Sequence, residues 1–148
     1  MNKLNLQFKL NRSSASEIEE HLERNNHSFF PVLSDQVDIH QYAVKLYKNA
    51  YRFELWDKAS MVGLVACYLN DKITGIAFIT NVSVDREWQS LGIATFLLKK
   101  CLNHAKKLGF EMIKLEVNKK NTAKRLYVRM GFLLDEVSKD KLIMSLKF

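Results

Sequence analysis

Proline occurs once in this chain of 148 residues, glycine five times and cysteine twice, and no long apolar run is present. Each scarcity excludes something. With so little Pro and Gly, and with 47% hydrophobic residues, the composition is globular and not low-complexity or disordered. No window nears the roughly 18 uninterrupted apolar residues of a membrane-spanning helix, so no membrane partner is expected. Met1-Asn2-Lys3-Leu4-Asn5-Leu6-Gln7-Phe8 alternates polar and apolar residues and lacks the apolar stretch of a secretory leader, which makes the cytoplasm the expected location. Cys67 and Cys101 sit inside apolar patterns and read as small buried hydrophobes in a reducing compartment. The histidines His21, His27, His40 and His104 have no ligand-like spacing with Cys or acidic residues, so no metal is expected.

What is present is a basic excess: the net charge is +7. Such a charge can attract nucleic acid, an anionic surface or a polyanionic small molecule. The basic residues are scattered, clustering only in pairs such as Lys99-Lys100, Lys106-Lys107 and Lys119-Lys120. No nucleic-acid-binding motif accompanies them, and nucleic acid is not an expected partner.

Residues 1–148 fit one ordinary domain. Leu4, Leu6, Phe8 and Leu10 alternate as in a half-buried strand. Ser16 and Glu19 stand in capping-box register and open a helix ending near Arg24. Ser34-Asp35 opens a second helical pattern whose apolar face is Ile39, Tyr42, Ala43, Leu46 and Ala50. Strand-like runs follow at 52–56, 61–68 and 75–84, with Asn70-Asp71 as a turn, which predicts an antiparallel meander. Ile93, Leu97, Leu98, Cys101, Leu102, Ala105 and Leu108 then mark a long amphipathic helix ended by Gly109. A strand over 111–117, a short helix through Ala123, Leu126, Tyr127 and Met130 closed by Gly131, and a final strand over 142–148 complete the chain. Strand, helix, strand between Val84 and Val117 forms a crossover unit, so its two strands should be parallel neighbours. The expected class is α/β (mixed α+β): a twisted mixed sheet with helices on both faces.

The segment from Val82 to Ala94 places a glycine-containing loop between a strand and the start of the long helix. The first turn of a helix has unpartnered N–H groups and the positive end of the macrodipole, a suitable seat for phosphate. Gly92 equally suits a tight strand-to-helix turn with no ligand. The loop is neither a dinucleotide-binding GxGxxG nor a GxxxxGKS phosphate loop, so nucleoside triphosphate binding is not supported.

Here the sequence resembles the GNAT superfamily of acetyl-CoA-dependent N-acetyltransferases. The family signature Q/R-x-x-G-x-G/A is matched by Gln89-Ser90-Leu91-Gly92-Ile93-Ala94, and N-x-A-x-x-L-Y-x-x-x-G-F by Asn121 through Phe132. The resemblance implies a sheet of six to seven strands whose parallel central pair splays to admit CoA. It implies that backbone amides from Gln89 through Thr95 wrap the CoA pyrophosphate. It further implies that Val82, Ser83 and Val84 pair their backbone with the pantetheine arm beside a β-bulge near Asn81 or Val82. Such a bulge would aim an N–H at the thioester oxygen, stabilising a tetrahedral intermediate.

By the same resemblance, the Tyr127 hydroxyl protonates the departing thiolate, although Tyr127 also fits a core-edge position beside Ala123, Leu126 and Met130. Glu116 matches the Leu-Glu-Val glutamate that serves as base in some protein N-terminal acetyltransferases of the family. Where members often carry an acidic residue on the preceding strand, this chain has Thr80 and Asn81. A water relay from Glu116 or Asn81, or from Glu54 or Asp57, is the alternative. Asn121 stands one residue closer to Ala123 than in the commoner family spacing, and with Asn118 it is expected to bond the cofactor. The acceptor side is expected among Phe29, Phe30, Tyr42, Tyr47, Tyr51, Phe53 and Trp56. The expected activity is acetyl transfer from acetyl-CoA to an amine of a small molecule, an amino sugar included. A protein N-terminus or lysine, or a CoA-binding regulator without catalysis, is the alternative. Pairing of the final strand with a partner's edge would make a homodimer.

Overall fold

The computed structural model describes residues 5–148. Strand β1, Leu6–Leu10, packs Leu6 and Phe8 against the core as its alternation predicts, but Leu10 is exposed, and Leu4 lies outside the described residues. Helix α1, Ala15–Arg24, is capped by Ser14, two residues before the predicted cap Ser16. The sequence holds two capping boxes, Ser14 with Glu17 and Ser16 with Glu19, and the first is used. Ser14 Oγ accepts from the Glu17 N–H at 3.1 Å, and Glu17 Oε1 accepts from the Ser14 N–H at 2.9 Å. The choice is tertiary, because the neighbouring Ser13 is bound through both its N–H and its hydroxyl to Glu54.

The second helical pattern is also divided. A single turn, α2 (Leu33–Gln36), is followed by extended Val37, and α3 (Ile39–Asn49) starts afresh because Asp38 accepts from the Gln41 N–H at 2.9 Å. Strands β2 (Tyr51–Asp57), β3 (Ser60–Tyr68) and β4 (Ile76–Val84) form the predicted meander. Helix α4 (Ile93–Lys107) crosses over to β5 (Met112–Asn118), which pairs parallel with β4. Helix α5 (Lys124–Met130) leads to β6 (Leu133–Val137) and β7 (Lys141–Lys147). The sheet order is β1-β2-β3-β4-β5-β7-β6.

Two expectations fail in this sheet. Strand β6 is absent from the sequence reading, since every one of its residues is exposed and an unburied strand has no apolar alternation to display. The final strand cannot offer a partner its edge, because β7 is enclosed between β5 and β6; the edges are β1 and β6.

Helices cover both faces. Helices α4 and α5 lie over a core that includes Phe53, Leu97, Leu98, Ile113 and Phe132, whereas α1 and α3 lie over Trp56, Leu64 and Ala66. Gly63 on β3 lets α4 approach closely: a Cβ there would meet Ile93 Cγ2 at 2.9 Å and Leu97 Cδ1 at 3.1 Å. Among the described residues no helix is long and apolar enough to cross a membrane.

Two irregularities of β4 position the site. Ala66 pairs with Asn81 but Cys67 with Ile79, so Thr80 is an extra residue, a bulge one place before the expected one. The bulge changes the parity of the strand. Ala77 and Ile79 face the α4 core, and Val82 and Val84 return to it, while Asn81 and Ser83 turn toward α1. The pairing of β4 with β5 runs only from Ile76↔Met112 to Ile79↔Leu115. Beyond it the two strands part.

Candidate active site

Where β4 and β5 part, a cleft of about 260 Å³ opens through the sheet. Its sheet walls are Phe78 to Val82 and Glu116 to Asn118. Phe29, Phe30, Pro31, Val37 and Tyr42 close one side of it, and Asn121 and Tyr127 the other. A second hollow, of about 340 Å³, lies at the start of α4 between Val84, Trp88, the 89–95 loop and two residues of α5, Leu126 and Arg129.

The loop joins a left-handed glycine to the start of a helix. Gly92 adopts φ +83°, a left-handed conformation costly for any residue with a Cβ, and no heavy atom lies within 4 Å of where that Cβ would stand. Intrahelical bonding begins with the Phe96 N–H donating to the Gly92 carbonyl at 3.0 Å. The N–H groups of Ile93, Ala94 and Thr95 therefore precede the ladder, at the positive end of a helix with no acidic residue in its first turn. Gln89 Nε2 donates to the Val84 carbonyl at 3.1 Å and closes the loop back on β4.

The expected site residues separate into groups. Asn81, Val82, Glu116, Asn118, Asn121 and Tyr127 all line the cleft. Val84, Gln89, Ser90, Gly92, Ile93, Ala94 and Thr95 line the loop hollow, while Leu91 is exposed and lines neither. Ser83 is buried, with its side chain turned to α1 and away from both spaces. Asn121 Oδ1 accepts from the Ala123 N–H at 2.9 Å in the turn before α5, and Asn118 Oδ1 accepts from the Lys120 N–H at 2.9 Å.

Tyr127 is buried against Phe132, with ring centroids 6.0 Å apart. Desolvation alone pushes its hydroxyl up to about 12, so it keeps its proton at neutral pH. Glu116 stands at the exposed rim, its Oε2 3.5 Å from Lys141 Nζ. Glu54, a candidate relay in the sequence, is fully buried in a cluster with Arg52, Ser13 and Trp56 and does not line the cleft. Of the seven aromatics expected on the acceptor side, Phe29, Phe30 and Tyr42 line the cleft. Tyr47 instead lies under the Arg52 guanidinium, Tyr51 packs at a tilt against His104, Phe53 joins the α4 core, and Trp56 donates to Glu54.

Sequence reasoning missed Arg129, Trp88, Phe78 and Lys141 in these walls. Arg129 carried a faint signal, lying one helical turn after Leu126 on the same side of α5.

Residues 15–132 match the profile of the acetyltransferase (GNAT) family. The chain belongs to that family. It is an acyltransferase by that membership, and no curated protein sequence matches it. The fold of this acetyltransferase is shared with solved structures of low identity. The ribosomal-protein-S18-alanine N-acetyltransferase of Escherichia coli is 19% identical with a TM-score of 0.77, covering 96% of this chain and 93% of that one. The PaiA N-acetyltransferase of Thermoplasma acidophilum, solved with coenzyme A, is 15% identical with a TM-score of 0.73, covering 96% and 99%. A GNAT-family acetyltransferase of Staphylococcus aureus is 18% identical with a TM-score of 0.74, covering 95% and 99%.

Proposed function

We propose that this acetyltransferase moves an acetyl group from acetyl-CoA to an amine of a small molecule with an apolar or ring-shaped body, in the cytoplasm. The observation that carries the reading is the parting of β4 and β5 after Ile79 and Leu115. It leaves the Thr80–Val84 flank of β4 without a β5 partner, in a cleft with aromatic side chains on one side and Tyr127 on the other. Two buried free thiols, Cys67 and Cys101, suit a reducing compartment.

The residues fit the cofactor. The unpaired N–H groups at Ile93–Thr95, the space beside Gly92 and the nearby Arg129 suit a pyrophosphate, and the free flank of Val82–Val84 suits an amide-bearing arm. Acetyl-CoA supplies the acetyl group already activated as a thioester, open to direct attack by the amine. Tyr127 gives its proton to the leaving sulfur. Desolvation raises the basicity of a departing thiolate as it raises that of the phenolate, so donor and acceptor shift in the same direction. Glu116 takes the proton that the acceptor amine must lose, directly or through water. The acceptor enters past Phe30 and Phe78, both partly exposed at the mouth.

Calorimetric titration with acetyl-CoA tests the cofactor, using a Gly92→Glu variant as control. Binding by the native chain and at least a 100-fold loss in the variant is expected, since the carboxylate would occupy the anion seat. A native chain that ignores millimolar acetyl-CoA ends the reading. An amine panel of 2-phenylethylamine, glucosamine and an alanine-terminated peptide, scored by release of CoA thiol, then tests the acceptor. Turnover of the peptide alone would replace the small-molecule acceptor with a protein N-terminus.

A further inference from the structure

Behind Asn81 stands a buried chain of polar side chains that the proposed transfer does not use. His21 on α1 is fully buried. Its Nδ1 lies 3.1 Å from the Met61 carbonyl, 3.4 Å from Asp85 Oδ1 and 3.4 Å from Asn25 Nδ2, whose own hydrogens go to the His21 carbonyl and to Asp85. Its Nε2 lies 2.8 Å from Ser83 Oγ, and the Ser83 hydroxyl donates to Asn81 Oδ1 at 2.8 Å. A serine has one hydroxyl hydrogen; with it committed to Asn81, the Ser83 oxygen accepts from His21 Nε2. Asp85 is itself anchored, accepting from Asn25 Nδ2 at 2.8 Å and from Arg24 Nε at 3.1 Å. Burial pushes the Asp85 carboxyl up, but the bonds from His21, Asn25 and Arg24 outweigh it and hold the group below the ordinary range. The result is a one-way series of donors running from α1 to the splay.

The consequence lies at its end. With Oδ1 occupied from within the protein, the Asn81 carboxamide turns its NH2 group the other way. That group has two hydrogens. The neighbouring Tyr42 hydroxyl is engaged by Thr80, donating to its carbonyl at 2.9 Å, and the Asn81 NH2 group is left for the cleft that Asn81 lines.

We propose that His21, Ser83 and Asp85 are positioning residues that hold the Asn81 carboxamide so that it offers an N–H donor to the acetyl carbonyl oxygen. The proposal rests on reading the cleft as an acetyl-CoA site. A donor there distinguishes acetyl-CoA from CoA, because only the first carries the oxygen that receives the bond.

Separate calorimetric titrations with CoA and acetyl-CoA test it. In Ser83→Ala, acetyl-CoA should weaken about threefold to tenfold, the size of one neutral hydrogen bond, with CoA unchanged within about twofold. Asn81→Ala should lose the same factor, and the double variant no more, because the two residues act as one unit. His21→Gln keeps an N–H donor toward Ser83 and should preserve the acetyl-CoA/CoA ratio, whereas His21→Leu should not. An unchanged ratio in Ser83→Ala, or equal weakening of both ligands, overturns the proposal: a purely structural network lowers the melting temperature without choosing between them. If neither ligand binds the wild-type chain, the acetyl-CoA reading itself fails, and the positioning role falls with it.

Discussion

Two buried polar clusters tie α1 and the segment leading into it to the same face of the sheet, and they differ in where they end. In the first, Glu54 accepts from the N–H groups of Arg12 and Ser13, from the Ser13 hydroxyl and from Trp56 Nε1, and it pairs with Arg52. The guanidinium in turn donates to the carbonyls of Ser13, Leu46 and Ala50. Every bond of that cluster returns into the protein. In the second, the bonds pass from Asp85 through His21 and Ser83 to Asn81, and Asn81 lines the cleft. Depth does not separate the two, since Glu54 and His21 are equally inaccessible. Termination does. A saturated cluster can only hold the fold, while one that ends at a cavity can set what that cavity presents.

The largest effect expected from this contrast is on stability. Glu54→Ala leaves Arg52 buried and unpaired and should lower the unfolding free energy by about 3–5 kcal/mol in a denaturant titration. Acetyl-CoA affinity of the folded protein should stay within about twofold. Loss of affinity at undiminished stability would erase the distinction between the clusters.

Tyr127→Phe probes the opposite face, where a single hydroxyl meets the cleft. Release of CoA thiol should fall about 100-fold, the lower bound for a general acid, with the melting temperature nearly unchanged. Full activity would remove Tyr127 from the chemistry and leave it as core.

Asp85→Asn is subtler. It removes the charge behind His21 while keeping the shape, and should cost about 1.5 kcal/mol of stability. The acetyl-CoA/CoA ratio should fall with it, unlike in any Glu54 variant.

The smallest effect is on alkaline stability. Burial raises Tyr127 to about 12 and, against the opposing bonds of Thr80 and Asn81, raises Tyr42 to about 12. Between the ordinary tyrosine value of 10.0 and about 12, the folded state holds protons that the unfolded chain has released. This contribution is complete below pH 10.0 and is lost as pH rises through about 12. Melting temperature against pH should therefore slope downward across that window, and less steeply in Tyr127→Phe. Equal slopes would mean that the Tyr127 hydroxyl is solvated.

Much of this was legible without coordinates, for physical reasons that can be named. The meander, the crossover and the long helix each bury one face, and burial writes a period of two or 3.6 into the chain. Where a face is not buried, as in β6, there was nothing to read. Capping was legible in kind but not in place, because Ser14 and Ser16 are equivalent until Glu54 binds Ser13. The loop from Gln89 to Thr95 was visible because glycine and a helix start are local features. His21 gave no sign: its partner Ser83 lies 62 residues away in the sequence.

Local spacing by itself determined the order of the buried elements from β2 to β5, the crossover between β4 and β5, and the glycine loop, since each is written in a short stretch of the chain. Only the tertiary structure decided that β7 is enclosed, that Glu54 is sealed away from the cleft, and that Thr80 bulges to turn Asn81 and Ser83 toward α1. Those outcomes depend on which distant groups satisfy a buried donor or acceptor, and a polar atom's partner has no periodicity in the chain.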